Sequence, residues 1–402
     1  MVVQTRVALR SPIGSEYRAE IERRLFFVSP DIVDFTIVEH GDRLHEIVLM
    51  SAGPIGDSDA LRRKVADLVE TDVAGRGLTP QRVIWRSAGE RPANLPDVYD
   101  QLLAQGRVSE AGEGQVVLDR TMMALMDALD AAITDLVDAR FGAVEYRYPT
   151  LLPTSVLEKV GYFNSFPQFL MFVTRLHSDT DVYRAVVARA KRGERMADAL
   201  LGHCTDVDYC LPPTMCFHTF HQLAGRSLDA EGQRVITAKG KSFRFESRYA
   251  RSLERLWDFT IREVVFLGDR QFVLRAREEL MADVFQFVTE IGLTGWCEVG
   301  NDPFFCDDDT PDKVMSQRLL QLKYELRADV AQGRSSAIAS FNYHDRFFSE
   351  SMEISGADGE PVSTACAGFG LERLTYAFCC QHGTDPAGWP AAVRDRLPVA
   401  RA

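Results

Sequence analysis

The chain has 402 residues, room for two or three domains, and its 46% hydrophobic and 26% charged content is that of a soluble globular protein. Lys and Arg number 46 against 58 Asp and Glu, so the formal net charge is −12 and nothing overall draws the chain toward DNA or RNA. No apolar run reaches the roughly 20 residues that span a bilayer, and Met1-Val2-Val3-Gln4-Thr5-Arg6 has no signal-peptide pattern, which points to the cytoplasm. The 8 cysteines all follow residue 200 and include no C-x-x-C pair. That argues against a disulfide framework or a zinc knuckle and for reduced thiols, some of which can hold a metal.

Residues 1–87 read as a small separate domain. Val2 to Leu9 alternates like a strand, and Tyr17, Ile21 and Leu25 sit at helical spacing after Ser15, a plausible N-cap. Two β-rich runs, 32–39 and 44–51, flank the turn His40-Gly41-Asp42-Arg43. Leu61, Val65, Leu68 and Val69 mark an amphipathic helix over 58–73, and 81–85 closes as a strand. The order β-α-β-β-α-β predicts a ferredoxin-like sandwich. Its mixed charges form no basic stripe, which suits docking or dimerisation better than catalysis. Residues 88–116, rich in Ala, Gly, Pro and Glu, read as a linker with one short helix near 99–105.

A catalytic domain is expected over 117–402. Met122, Leu125, Met126, Leu129, Ile133, Leu136 and Val137 line one face of a helix over 119–140. A strand, 141–148, follows and stops at Pro149, which has no N–H to give a ladder. Periodicity leaves open whether that helix forms a dimer interface or an ordinary core. Residues 155–210 alternate helix and loop, with a charged surface helix over 184–201. Leu211 to Phe217 looks β-like. The runs 235–245 and 255–264 read as antiparallel strands separated by a charged loop. Phe272 to Ile291 is a helix, 301–305 a turn, and 315–325, 337–343 and 352–355 further strands of one antiparallel sheet. Ser363 to Arg373 then runs from a strand through Gly368-Phe369-Gly370 into a helix. Such a turn lets backbone approach a ligand and aims Arg373 at it, as at a phosphate site. By itself it is equally a plain glycine turn with a solvated Glu372–Arg373 pair.

Taken together, these stretches resemble the catalytic domain of class II aminoacyl-tRNA synthetases over roughly residues 117–395. The helix and strand with Gly142 and Pro149 resemble motif 1. Phe243-Arg244-Phe245-Glu246 with Arg255 and Phe259 resembles motif 2, and Gly368-Phe369-Gly370-Leu371-Glu372-Arg373 resembles motif 3. Tyr148-Pro149-Thr150-Leu151 and Phe166-Pro167-Gln168-Phe169 resemble the seryl group. Thr214-Met215-Cys216 stands where ordinary seryl enzymes carry Thr-x-Glu. That cysteine marks the zinc-dependent branch, which holds atypical seryl-tRNA synthetases and amino acid:[carrier protein] ligases. Asn301 to Phe305, Leu322 to Leu326, Ser340 to His344, His382-Gly383 and Trp389-Pro390 resemble the ligases in particular.

The resemblance implies an α+β fold: an antiparallel sheet flanked by helices, preceded here by the small domain it does not cover. It implies Zn2+ on Cys216, Glu263 and Cys366, the fourth position being taken by the amino group of the substrate. ATP would be bound by Arg244 at the α-phosphate and substrate carboxylate, by Arg255 and Arg373 at the γ-phosphate, and by Phe259 under adenine with Arg373 above it. Glu246 would orient Arg244 or the adenine amine, so Arg244, Glu246 and Arg373 carry the catalysis. Thr214 and Asn342 would contact the amino acid. Mg2+ is expected on ATP, but where seryl enzymes carry a glutamate this chain has Ser335-Ser336-Ala337, leaving Glu325 as a substitute. Arg248, Arg251 and Arg262 read as solvated or structural. The implied activity is adenylation of a small amino acid and its transfer to the phosphopantetheine thiol of a carrier protein, with the helix 272–291 as a docking element and a homodimer formed through motif 1. The alternatives are an atypical seryl-tRNA synthetase, disfavoured by the lack of basic excess, and an inactive regulatory paralogue.

Overall fold

The structure, a computed structural model, describes residues 3–398 apart from 26–27, 30, 52, 54–56, 76–81, 90–97, 229–231, 246–251, 301–322 and 332–333. The chain divides into two compact units: Met1–Arg82 with Glu246–Arg255, and Val83–Phe245 with Leu256–Ala402. In the first, β1 (Val3–Gly14), β2 (Ile32–His40) and β3 (Arg43–Ser51) form an antiparallel sheet in the order β1-β3-β2. Helices α1 (Arg18–Leu25) and α2 (Ser58–Asp67) bury Ile21, Leu25, Leu61 and Val65 with Val7, Leu44, Ile47 and Leu49 in one core. Asp57 caps α2 by accepting the Ala60 N–H at 2.7 Å.

The expected fourth strand of this sandwich lies elsewhere. It is β4 (Val83–Arg86), which pairs with β13 (Gly295–Val299) at the edge of the large sheet. Trp85 stacks on Phe285 with ring centroids 4.5 Å apart and planes 6° from parallel, a contact worth about 0.5–1.5 kcal/mol. The first segment of the small unit therefore stops at residue 82 rather than 87, and its sheet has three strands among the described residues. The part of the linker stretch after residue 97 is folded, with the short helix expected near 99–105 in place. It holds α3 (Tyr99–Ala104) and a hairpin of β5 (Val108–Gly112) and β6 (Gln115–Leu118).

The remaining elements of the large unit are, in order, α4 (Arg120–Phe141), β7 (Val144–Tyr146), β8 (Leu152–Pro153), α5 (Thr154–Lys159), α6 (Tyr162–Ser165), β9 (Met171–Val173), α7 (Thr180–Lys191), α8 (Met196–Leu200), β10 (Tyr209–Leu211), α9 (Cys216–Leu223), β11 (Arg234–Phe243), β12 (Asp258–Gly268), α10 (Arg270–Glu290), β14 (Lys323–Ala331), β15 (Arg334–Asp345), α11 (Phe347–Met352), β16 (Ser363–Gly370), α12 (Leu371–His382) and α13 (Ala391–Arg394). Eight strands form the main sheet in the order β4-β13-β14-β15-β16-β12-β11-β7; every pair is antiparallel except β11–β7.

Several boundaries differ from expectation. Cys216 opens a helix instead of lying in a strand, because the β-like signal ends with β10 at Leu211. Met352 ends α11, and of 352–355 only Ser355 makes isolated β-bridges. The charged helix 184–201 is two helices, α7 and α8. The turn 301–305 and residues 315–322 of an expected strand lie outside the described residues.

Helix α4 shows how sequence fixes placement. Asp119 caps it by accepting the Met122 N–H at 2.8 Å, and Gly142 ends it at φ +55°, a left-handed conformation that costs glycine little. Met122, Leu125, Leu129, Ile133 and Val137 are buried, as their spacing requires. Asp130, also buried, meets Arg262 of β12 in a two-bond pair at 2.7 and 3.0 Å. Glu145 takes the same guanidinium at 2.6 Å, and Lys239 reaches Asp130 at 2.9 Å. Arg262 is thus structural: it ties α4 and β7 to the sheet.

Burial pushes the Asp130 carboxyl up, but Arg262 and Lys239 outweigh it and hold it below its ordinary value. Its stabilisation is therefore present above the unfolded carboxylate range, near pH 3.9, and is lost as pH falls through the lower folded value. Asp130→Ala should cost about 3–5 kcal/mol in denaturant titration at pH 7, because it strands a buried guanidinium. The deficit relative to the parent should shrink in acid; a deficit that stayed constant to pH 2 would contradict the pairing.

Candidate active site

The candidate site occupies one face of the main sheet. Side chains alternate across a strand, so Phe259, Ile261, Glu263 and Val265 of β12 share a face, as do Cys366 and Gly368 of β16 and Ser340, Asn342 and His344 of β15. The register joins them: Val265 faces Cys366, Glu263 faces Gly368 and Asn342 faces Cys366. The helices α4 and α12 bind the opposite face through Arg262 and Thr260, the alternate residues of β12.

At the centre Cys216, Glu263 and Cys366 converge, all buried, with one ligand atom of each within 4.8 Å of the others. Glu263 Oε2 accepts hydrogen bonds from Thr214 Oγ1 and the Cys216 N–H, both at 2.9 Å. The start of α9 is thereby pinned to β12. Asn342 Nδ2 approaches Cys366 Sγ at 3.6 Å and Ser340 Oγ at 3.3 Å, and its buried Oδ1 has no hydrogen-bond partner. On the other side of Cys366 stands His344, its Nε2 3.5 Å from the sulfur.

Burial raises the Cys216 thiol well above its ordinary range, reinforced by Cys366 and Glu263. The neighbouring Cys216 thiol lowers that of Cys366, yet burial and the Glu263 charge leave it raised. Burial raises Glu263 too, against the hydrogen bond from Thr214. Two sulfurs and an oxygen that resist ionisation by themselves suit a borderline-soft divalent cation, which removes the reason for their protons. Three ligands leave a position free, and the orphaned Asn342 oxygen beside them is a ready acceptor for a ligand N–H or O–H.

The residues expected to bind anions lie on elements of the same sheet or outside them. Arg244 follows β11, donates from Nε to the Pro213 carbonyl at 3.0 Å, and lies 5.5 Å over the Phe259 ring. Phe259 was expected to sit with Arg373 across an adenine; in this structure the cation over its ring is Arg244. Arg373, in the first turn of α12, points Nη1 toward the Ala337 carbonyl at 3.5 Å. Glu372 fixes that turn, accepting from Thr260 N at 2.7 and 2.8 Å and from Thr260 Oγ1 at 2.8 Å. Glu325 is held by Lys323 at 2.9 Å and Arg327 at 3.3 Å, so it would have to give up ion pairs to take a metal. Arg255 belongs to the segment grouped with the first unit. Glu246, Arg248 and Arg251 lie outside the described residues.

The mouth of the loop after Arg244 is closed by backbone bonds: Phe243 N to Pro212 O at 2.8 Å, Arg244 N to Trp257 O at 3.1 Å, Phe245 N to Phe169 O at 2.9 Å and Trp257 N to Gly114 O at 2.8 Å. Sequence reasoning missed this use of the β5–β6 hairpin, and it missed His344. The hairpin left no signal in a stretch rich in Ala and Gly. His344 was findable, since it lies two residues beyond Asn342 on one strand.

An antiparallel sheet carrying its motif residues on β11, β12 and β16 is the class II aminoacyl-tRNA synthetase fold. The crystal structure of M. kandleri SerRS in complex with A. aeolicus tRNASec superposes with a TM-score of 0.71, covering 98% of this chain and 77% of that one at 22% identity. No protein-family model matches the sequence. Two curated relatives come from Bradyrhizobium diazoefficiens. Amino acid–[acyl-carrier-protein] ligase 1 is 32% identical over 304 residues (75% of this chain, 90% of the ligase). Ligase 2 is 34% identical over 261 residues (63% and 75%). A type-2 serine–tRNA ligase of Methanopyrus kandleri is 25% identical over 371 residues (85% and 70%). The chain belongs to the amino acid–[acyl-carrier-protein] ligase family.

Gly114 tests the clamp. It has φ +64°, and a Cβ there would come within 2.4 Å of the Trp257 ring. Gly114→Val should cost about 1–3 kcal/mol in denaturant unfolding and change Trp fluorescence. Gly112→Ala, which meets only Gln115 at 3.8 Å, should do neither. Equal effects at both positions would remove the clamp from the account.

Proposed function

We propose that this protein activates a small amino acid with ATP as the aminoacyl-adenylate and passes the aminoacyl group to the phosphopantetheine thiol of a carrier protein. The observation that carries this reading is the buried Cys216–Glu263–Cys366 cluster, set on the same sheet face as Phe259 in a chain of this ligase family. Cys216, Glu263 and Cys366 would hold Zn2+, which when bound offers an open position to the substrate amino group and favours its neutral form.

The chain's own residues do the rest. Adenylation brings a carboxylate oxygen onto the α-phosphorus and expels pyrophosphate, so two anions must be held together. Arg244, anchored just beyond β11 through its Nε bond to the Pro213 carbonyl, neutralises that approach. Arg373 faces the phosphates from a helix start that Glu372 fixes to β12, and Arg255 shares this work. Phe259 offers a stacking face, Glu246 orients Arg244 or the adenine amine, and Mg2+ accompanies ATP. Thr214 and Asn342 border the amino group, Asn342 through its free Oδ1. In the second step the thiol sulfur attacks the acyl carbon and AMP leaves. Carrier docking on the outward face of α10 belongs to the same proposal.

We further infer a homodimer through the motif 1 region. Its support is that β7 ends the sheet and that Val144 and Met123 are about half exposed there. The cytoplasm is the proposed location; each described cysteine is a free thiol, and among the described residues no helix is long and apolar enough to cross a membrane.

One observation favours a second reading, a serine–tRNA ligase: that relative aligns over more of this chain than either carrier-protein ligase does.

ATP–pyrophosphate exchange across a panel of amino acids, followed by acylation assays, separates the readings. The expected result is exchange with one or a few small amino acids and labelling of a phosphopantetheinylated carrier. Labelling of tRNA alone would select the second reading, and silence throughout would leave an inactive paralogue. Separately, Cys366→Ala should lose metal in elemental analysis and lower exchange by at least about 100-fold; full exchange without metal would overturn the ligand assignment.

A further inference from the structure

Cys216 and Cys366 are not equivalent. Besides the other two members of the cluster, the Cys216 sulfur has Thr214 Oγ1 at 3.9 Å. The Cys366 sulfur lies between two nitrogens of β15, Asn342 Nδ2 at 3.6 Å and His344 Nε2 at 3.5 Å. The imidazole is 5% exposed and meets Phe220 and Phe348 edge-on, at 6.0 and 4.9 Å between centroids. Its far nitrogen, Nδ1, is 3.2 Å from Thr364 Oγ1, and that hydroxyl has a second partner in the Asp345 carbonyl at 3.4 Å. Thr364 lies two residues before Cys366 on the same face of β16. A packed ring with one nitrogen on a sulfur ligand and the other on a hydroxyl therefore links the sulfur to the backbone of the sheet.

We propose that His344 is a positioning residue for Cys366, and that Thr364 sets which ring nitrogen carries the hydrogen. The inference rests on the metal-site reading of Cys216, Glu263 and Cys366. A metal-bound thiolate accepts hydrogen bonds, so the nitrogen facing it must be N–H. Nδ1 must then accept, and the Thr364 hydroxyl can turn from the Asp345 carbonyl to donate to it. With a thiol at Cys366 the arrangement reverses: S–H points to Nε2, Nδ1–H to the hydroxyl oxygen, and the hydroxyl hydrogen to Asp345 O. The pair satisfies both states of the sulfur with no buried charge added. An N–H on one sulfur draws electron density from it, so that Cys216 would be the stronger donor to a bound cation. Partners of this kind orient metal ligands and govern affinity.

The test uses the full chain, stripped with a chelator and reloaded with Co(II), read by the sulfur-to-cobalt charge-transfer bands in the near ultraviolet and by the Co(II) dissociation constant. His344→Phe keeps an aromatic ring between Phe220 and Phe348 but removes both nitrogens; it should weaken Co(II) about 10- to 100-fold and shift the bands. His344→Gln returns an amide donor and should recover most of both. Thr364→Val should shift the bands while leaving the melting transition near that of the parent. Circular dichroism establishes folding, and if His344→Phe does not fold, Thr364→Val and His344→Gln decide. A folded His344→Phe with parental affinity and bands, or a folded Thr364→Val with unshifted bands, overturns the assignment. Failure of the unmodified chain to take up Co(II) overturns the cluster reading itself, and this inference with it.

Discussion

Three acidic groups buried against one another are the constraint on which this structure turns. Cys216, Glu263 and Cys366 come from a helix start and two neighbouring strands, and none can ionise alone in that setting without a large desolvation cost. Yet Glu263 is also the fastener of the fold at this point. One of its oxygens takes the Thr214 hydroxyl and the Cys216 N–H, so the segment leading into α9 is bound to β12 through an atom of the ligand set. Site and scaffold share atoms here, and metal affinity and the seating of α9 are expected to move together.

Strand β12 divides its labour residue by residue. Glu263 faces the cluster; Arg262, one step back, faces the other way into Asp130 and Glu145. Thr260 on that second face receives Glu372 and so locates Arg373. A single strand thereby sets the ligand carboxylate, the long helix α4 and the start of α12. Alternation is what makes this possible: adjacent positions see different environments without competing for space. The buried Arg262 pair is no large source of net stability, because desolvation offsets most of its attraction. What it supplies is register, since a guanidinium bidentate to Asp130 fits one placement of α4 and no other.

Much of this was legible in the chain, for particular physical reasons. Helix α4 declared itself through a 3.6-residue apolar stripe over 119–140, and the structure keeps those limits to within a residue. The strand leading to Arg373, the helix after it and the strand pair β11–β12 were visible because local chemistry dictates them, although Gly368–Gly370 stay paired in β16 instead of forming a turn. What failed was partner choice. The run 83–86 has the period of a strand, and period fixes which face is apolar but not which sheet receives it; Trp85 finds Phe285 rather than the small sheet. Cys216 fell in a stretch that looks β-like, but the strand ends at Leu211 and a helix begins at Cys216. The cluster itself came from motif resemblance, not from spacing, as its members lie 47 and 103 residues apart in sequence; the register of β12 with β16 joins Glu263 to Cys366, and hydrogen bonds to Glu263 bring in the start of α9. His344 needed only the alternation of β15, two residues beyond Asn342.

The resting position of Arg244 bears on how the site accepts anions. Its cation covers Phe259 at 5.5 Å, a contact worth about 0.5–2 kcal/mol, and its Nε bonds a backbone carbonyl. Both contacts are modest beside a bidentate pair with a carboxylate or phosphate in a water-poor site. A ligand bearing such a group therefore gains more from the guanidinium than the protein loses by releasing the ring. Release in turn uncovers the aromatic face for a flat ligand portion. Under the proposed function, the same small motion would supply the cation for the anionic end of a nucleotide and the stacking surface for its base. The nearby Pro213 carbonyl, one residue before Thr214, keeps the arginine from swinging away from the cluster while it moves. On this argument, anion binding and base stacking are coupled through one side chain, and neither is fully available until the other is made.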